Sequence, residues 1–255
     1  MDLFNKTVYF SLFAQIVIGI VTLRGLFITL PPQHSILTDA LKLETVVQFI
    51  EAAFYFWMAS GPNDIFTIAS RRYIDWVITT PTMLISTIIF MKYREFMYIQ
   101  QLKLQKQQNL NKHIPLLQNQ KGDFNQNHQQ PPLTLDYFLQ PKQKKIIILI
   151  CFYNLLMLLF GFLGEINIIS KYVSIPVGFF FFYKVFHSLY YNYAIKSPLA
   201  TKLFYVLMPV WALYGVAAFF NPYYKNISYN ILDIFSKNFY GLYLYYYITT
   251  ITNKL

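Results

Sequence analysis

Long apolar runs, separated by polar segments, make up most of the chain. A helix that crosses the bilayer core needs about 20 mostly apolar residues, whereas a strand of an outer-membrane barrel needs only about 10 that alternate inward and outward. The runs are too long for such strands and do not alternate. They predict an all-α membrane protein with seven transmembrane helices. The predicted spans are residues 7–30, 43–61, 73–91, 146–164, 173–193, 203–220 and 227–251.

Composition and charge agree with a membrane protein. The 255 residues are 56% hydrophobic and only 13% charged, which is too apolar for an ordinary soluble domain. The net charge of +10 could suggest a nucleic-acid partner, but the excess lies in loops on one side of the predicted spans. The positive-inside rule then places the N-terminus outside and the C-terminus in the cytoplasm. The expected partner is therefore the lipid bilayer, not nucleic acid.

The segment 98–143 interrupts the apolar pattern. It is rich in Gln, Asn and Lys and cannot bury enough apolar surface to fold alone. We expect the third helix to continue to about Leu104 and a flexible cytoplasmic loop to follow, inserted into a single domain of residues 1–255. A tolerated insertion is favoured over a partner-docking role, because long loops cost little. The lone cysteine, Cys151, excludes an internal disulfide and a CxxC metal site, so no metal is expected.

Charged residues inside the predicted spans are the candidate functional groups. Lys237 lies near the middle of the last span, one helical turn after Asp233. Arg72 and Asp75 share a face of the third span. Both spans run in the same direction, which brings Asp75 and Lys237 to a similar depth. A buried amine between two carboxylates keeps its charge, and intramembrane charges usually mark function.

These residues form two motifs that resemble those of the microbial rhodopsins. One is Arg72-Tyr73-x-Asp75-Trp76-x-x-Thr79-Thr80-Pro81 on the third span, and the other is Asp233-x-x-x-Lys237 on the seventh. The resemblance implies that Lys237 carries all-trans retinal as a protonated Schiff base. Asp75 is then the primary counterion and proton acceptor and Asp233 the second, and Arg72 balances both acids.

The resemblance also implies a retinal pocket. Thr79 is expected to hydrogen-bond Asp75. The implied pocket residues are Trp76, Thr80, Tyr205, Pro209 and Trp211. The sixth span departs from the family, because Tyr205 replaces the usual tryptophan four residues before the proline and Trp211 lies one place early. Plain core packing is the alternative for these aromatic residues. Asn154 on the fourth span could contact Thr80 across the bundle, but ordinary packing is favoured there too.

A second polar line runs along spans one, two and seven. Acidic residues that line a pore favour cations. The predicted ion path comprises Ser11, Gln15, Arg24, Glu44, Glu51, Asn230 and Asn238. This arrangement is similar to the light-gated cation channels of the family, and most similar to the group-1 viral rhodopsins. The resemblance implies that proton transfer from the Schiff base to Asp75 or Asp233 loosens their hold on Arg72, after which the glutamate-lined path hydrates.

The preferred function is therefore a photoreceptor rather than an enzyme: a light-gated channel for monovalent cations or protons, expected to form homo-oligomers. A weak outward proton pump is an alternative. The internal donor of fast pumps belongs eleven residues after Asp75, where Ser86 cannot donate at neutral pH. A sensory rhodopsin that docks through 98–143, and a seven-helix receptor or transporter without retinal, also stay open.

Overall fold

Seven helices form an antiparallel bundle in the computed structural model, which describes residues 2–61, 64–113, 134–138 and 140–253. They confirm the seven-helix prediction within these ranges. The bundle helices are α1 (Leu3–Gly25), α2 (Ile36–Ser60), α3 (Ile65–His113), α4 (Pro141–Glu165), α5 (Lys171–Asn192), α6 (Pro198–Ala217) and α7, which consists of Pro222–Asp233, a π-helical turn at Ile234–Asn238 and Phe239–Thr252. Shorter elements are the 3₁₀ turns Pro32–His34 and Ala194–Lys196 and the helix Leu135–Phe138.

The starts of the later helices follow from local sequence. Proline occupies the first turn of α4, α6 and α7, where its missing N–H costs nothing. Before α6, the side chain of Ser197 accepts a hydrogen bond from the backbone N–H of Ala200 at 3.2 Å. Before α7, Asn221 accepts one from Tyr224 N–H at 3.0 Å. These side chains cap N–H groups that the helix itself leaves without acceptors.

Large apolar side chains cover the outside of the bundle, and charged ones lie inside it. Phe10, Phe56 and Ile74 are exposed, whereas Arg72 and Lys237 are buried. Five helices in the described ranges are long and apolar enough to cross a membrane by length and composition: α1, α3, α4, α5 and α6. α2 carries several charges, and a π-helical turn divides α7. This distribution is that of an integral, multi-pass membrane protein.

The third helix is longer than the sequence pattern predicted. It continues past Leu104 to His113, so residues 105–113 are helical rather than part of the predicted loop. Gln, Lys and Leu dominate this stretch, and all three are good helix formers even without burial. The central part of the predicted flexible loop, 114–133, lies outside the described residues.

Close packing joins α4 to α5. At Gly164, an added Cβ would lie 1.9 Å from Ser174 Oγ and 2.7 Å from Ser174 Cβ. The connection between the helices contains Asn167, whose φ of 60° is a left-handed conformation that asparagine tolerates better than most residues. Because glycine has no Cβ, α4 and α5 can pack closely at position 164.

We expect Gly164→Ala to destabilise the bundle by about 1–3 kcal/mol, because a methyl group there forces Ser174 and its backbone to move. The apparent melting temperature of the purified protein in detergent should fall. Gly178→Ala on α5 is the matched control, since an added Cβ meets only Met157 O at 3.8 Å. Equal melting temperatures for the two variants would contradict the packing argument.

Candidate functional site

The side chain of Lys237 lies at the centre of a buried charge cluster. Its exposed fraction is 2%, and it sits in the π-helical turn of α7, a local widening of the helix that is frequent at functional sites. Its Nζ donates to the Glu51 carboxylate and, at 3.0 Å, to Asp75 Oδ2. Asp233 Oδ1 is 3.6 Å away. Three helices, α2, α3 and α7, thus each bring a carboxylate to one amine.

Arg72 pairs with Asp233 on the other side of that acid. Its Nη1 lies 3.1 Å from Asp233 Oδ2, and the guanidinium also donates to the side-chain oxygen of Asn230. Two cationic side chains therefore face three carboxyl groups in one buried cluster. Asn230, predicted to line the ion path, is a partner of Arg72 in the structure, and its amide nitrogen donates to Thr7 Oγ1 at 2.8 Å.

Two tyrosines that sequence reasoning missed also hold Asp233. Tyr55 donates to Asp233 Oδ2 at 2.6 Å, and Tyr214 donates to Asp233 Oδ1 at 2.7 Å. A signal was available for Tyr55, because it follows Glu51 by four residues and so shares its helical face. Tyr214 follows Trp211 by three residues and so shares its helical face as well. Asp233 is therefore held from α2, α3 and α6 at once.

An apolar cavity of about 800 Å³, measured to its open mouth, leads to Lys237. The predicted residues Trp76, Thr80 and Trp211 line it. α4 and α5 add walls that the sequence did not indicate. These are Met157, Ile175, Phe179 and Phe182.

Two predicted pocket residues do not line the cavity. Tyr205 is 57% exposed and Pro209 is also exposed. At about 100° per residue, they lie roughly 120° and 160° around α6 from Trp211. Tyr214 and Gly215, three and four positions after Trp211, line the cavity instead. The face of α6 that carries Trp211, Tyr214 and Gly215 therefore points to the cavity.

The two threonines of α3 bond to their own helix. Thr79 donates to the backbone oxygen of Asp75 at 3.0 Å, not to its carboxylate as predicted, because a threonine hydroxyl reaches the carbonyl four residues earlier. Thr80 likewise donates to Trp76 O and accepts from Asn154 Nδ2 at 2.8 Å. The contact between Asn154 and Thr80, considered less favoured from sequence, is present. Asp75 Oδ1 is buried and has no partner among the described residues.

Most of the predicted ion path is buried along α1, α2 and α7. Ser11 donates to the backbone oxygen of Asn230 at 3.0 Å, and Gln15 donates to Glu51 Oε2 at 2.6 Å. Asn238 is buried beside Lys237. Arg24 is exposed at the end of α1, away from the buried residues of this line, and its place in the path stays a prediction. It follows Gln15 by nine residues, which puts it about 180° around the helix.

Glu44 contacts the position where a proton donor was sought on α3. Ser86 Oγ donates to the Glu44 carboxylate, and both residues are fully buried. A carboxyl group thus occupies this region, but it comes from α2. Periodicity along α3 could not reveal it, since the contact depends on how α2 and α3 pack.

A protein-family model described as bacteriorhodopsin-like protein matches residues 6–251. The chain belongs to the bacteriorhodopsin-like family. Rhodopsins of this family bind retinal as their chromophore. No curated protein matches this rhodopsin in sequence.

Solved rhodopsin structures share the fold. The viral rhodopsin OLPVRII is 24% identical with a TM-score of 0.73, over 98% of this chain and 99% of that one. Exiguobacterium sibiricum rhodopsin is 17% identical with a TM-score of 0.68, over 99% and 98%. The light-driven proton pump CsR of Coccomyxa subellipsoidea is 16% identical with a TM-score of 0.65, over 96% of each chain. At these identities the likeness concerns the fold alone.

The cavity suits retinal, a long apolar molecule with one reactive aldehyde. Its walls are aromatic and aliphatic, and the amine of Lys237 stands at one end among acids that stabilise a cationic nitrogen. Trp76 and Trp211 would hold the polyene. Lys237 would supply the attachment, with Glu51, Asp75 and Asp233 as counterions.

Lys237→Ala should abolish visible absorbance after retinal is added, because the attachment nitrogen is gone. Borohydride reduction of the retinal-loaded wild-type protein, followed by peptide mass mapping, should place the label on Lys237. Lys184→Ala, a lysine change elsewhere in the bundle, serves as the control and should keep the spectrum. A label on Lys184 or Lys225 would refute the assignment.

Proposed function

We propose that the protein is a light-gated cation channel that uses all-trans retinal bound to Lys237. The observation that carries this proposal is a line of buried polar atoms without hydrogen-bond partners among the described residues. It extends along α1, α2 and α7 from the charge cluster toward Glu44. The atoms are Gln15 Oε1, both amide atoms of Gln48 and of Asn238, and Glu44 Oε2.

Several buried polar atoms that lack protein partners and lie along one line are expected to bind water. Buried polar groups in native proteins are almost always paired, either with protein or with ordered water. Gln48 and Asn238 each offer a donor and an acceptor here, so their amides suit a chain of waters. Such a chain is the first requirement of an ion path between the helices.

The charge cluster supplies the gate. Retinal, when bound, would contribute light-driven isomerisation of a double bond in its polyene chain, which is joined to the Lys237 nitrogen. Asp75 Oδ2, at 3.0 Å from Nζ, is placed to take the proton. Once the positive charge has left Nζ, Glu51 loses its ionic partner while Gln15 still holds it at 2.6 Å. An unpaired buried carboxylate draws in water or a cation, because isolation in a low dielectric is costly.

The carboxylates set the sign of the permeant ion. Glu44 and Glu51 are the acidic groups along this line, and acidic pore linings favour cations. Arg72 lies beyond Asp233 and is tied to it, which keeps its positive charge from facing the path directly. Monovalent cations or protons are therefore the expected cargo.

A weak outward proton pump is the second candidate, and one contact favours it. The Glu44 carboxyl on Ser86 lies where pumps of the family keep a reprotonating acid. CsR, whose fold is similar, is a light-driven proton pump. A pump and a channel differ in whether the direction of the current depends on the ion gradient.

Photocurrent against voltage separates these functions in cells that express the retinal-loaded protein. A channel gives a current that reverses with the cation gradient. We expect Gln48→Leu to lower the photocurrent by roughly tenfold, because an apolar side chain removes a hydration site from the path. Its visible spectrum should persist, since Gln48 makes no hydrogen bond to Lys237 within the described part of the chain.

Asp39→Asn is the matched control on the same helix. Asp39 lies in the first turn of α2, paired with Lys42 at 2.9 Å, and should not affect the current. Currents that keep one direction at every voltage would indicate a pump. A reversing current that is unchanged in Gln48→Leu would place the path elsewhere.

A further inference from the structure

We propose that a groove between α2 and α3 binds an anionic phospholipid, with the phosphate at Arg71 and one acyl chain lying over Asp75. This site is on the outside of the bundle, separate from the cavity that leads to Lys237. Its occupant follows from three features of the groove: apolar walls that face the bilayer, one exposed guanidinium at its rim, and a functional carboxylate at its floor.

The walls of the groove are apolar and face outward. Ile50 and Phe54 of α2 oppose Ile74 and Ile78 of α3. Ile74 is 72% exposed and Ile78 is 51% exposed, so this surface meets lipid in a membrane. A furrow with aliphatic and aromatic walls accommodates an acyl chain, which gains dispersion contacts that a flat helix surface does not offer.

Arg71 supplies a positive charge at the rim. Its side chain is exposed, and its guanidinium carbon lies 4.9 Å from the centre of the Trp57 ring. Arg71 takes part in no salt bridge within the described ranges of the chain. It lies six residues into α3, about 9 Å from the start of that helix, where an exposed arginine extends toward the headgroups. Tryptophan favours the same level of the bilayer.

A lipid phosphate is the partner that this guanidinium best fits. Arginine binds phosphate through two parallel N–H bonds, and the stacked Trp57 ring holds its plane. A second copy of the chain would need to bring an acid to the bundle wall. Within the described ranges, the exposed acids are Asp2, Asp64 and Asp136, which lie in or beside loops.

The floor of the groove is the acid that faces Lys237. Asp75 is 5% exposed, and its Oδ1 has no hydrogen-bond partner within the described part of the chain. Oδ2 of the same carboxylate contacts Lys237 at 3.0 Å. A chain seated in the groove would cover Asp75 on its bilayer side and exclude water from that approach to the lysine nitrogen.

Native mass spectrometry of the retinal-loaded protein, released from nanodiscs that contain equal phosphatidylglycerol and phosphatidylcholine, tests the site. The wild type should retain phosphatidylglycerol in preference. Arg71→Gln should lower that retention roughly fivefold, the effect of about one surface cation on an anionic lipid. Ile74→Trp, which fills the groove, should lower retention of the lipid while Arg71 stays.

Lys6→Gln is the control, since it removes an exposed positive charge near the start of α1, at the same end of the bundle as Arg71. It should leave the retained lipid unchanged. Equal retention in Arg71→Gln and wild type would overturn the proposal. So would a change of oligomeric state in Arg71→Gln with lipid retention intact, which would assign this face to a second copy. Visible absorbance of each variant confirms that it is folded.

Discussion

The attraction between one buried amine and three carboxylates is the interaction on which the rest of the site depends. Charges cost several kcal/mol to move out of water, and only close partners offset that cost. Lys237 finds Glu51, Asp75 and Asp233, and Arg72 takes Asp233 from its other side. Because the partners come from α2, α3 and α7, the cluster constrains how these three helices pack. Removing the charge of Lys237 would leave Glu51 and Asp75 buried without a cationic partner.

The acids of the cluster differ in how fully they are held. Asp233 accepts hydrogen bonds from Tyr55 and Tyr214 as well as from Arg72. Asp75 has the lysine on Oδ2 and an open acceptor position on Oδ1. Asp233 is thus held at both carboxylate oxygens, whereas one oxygen of Asp75 stays open. The order of roles implied by the sequence motif stays a prediction.

Polar side chains lie inside the bundle and apolar side chains lie on its outer surface. Polar atoms run inside, along α1, α2 and α7, where their lack of partners points to water. Apolar side chains cover the outside, where the groove between α2 and α3 brings lipid close to Asp75. The same carboxylate therefore lies between the inner cluster and the bilayer. Its surroundings include the membrane itself, which makes lipid composition a variable in how the site behaves.

The sequence by itself determined the seven helices and the main charged residues, because apolar length and helical spacing are properties of one segment at a time. It placed Lys237, Asp75 and Asp233 at a similar depth in the membrane. The same spacing puts Arg24 about 180° around its helix from Gln15 and Tyr205 about 120° around its helix from Trp211.

Only the tertiary structure decided which faces meet. It brought Glu51 into contact with the lysine and Glu44 into contact with Ser86, and it turned Tyr214 rather than Tyr205 toward the site. The periodicity of one helix says which residues share a face, but the rotation and depth of its neighbours follow from packing over the whole bundle.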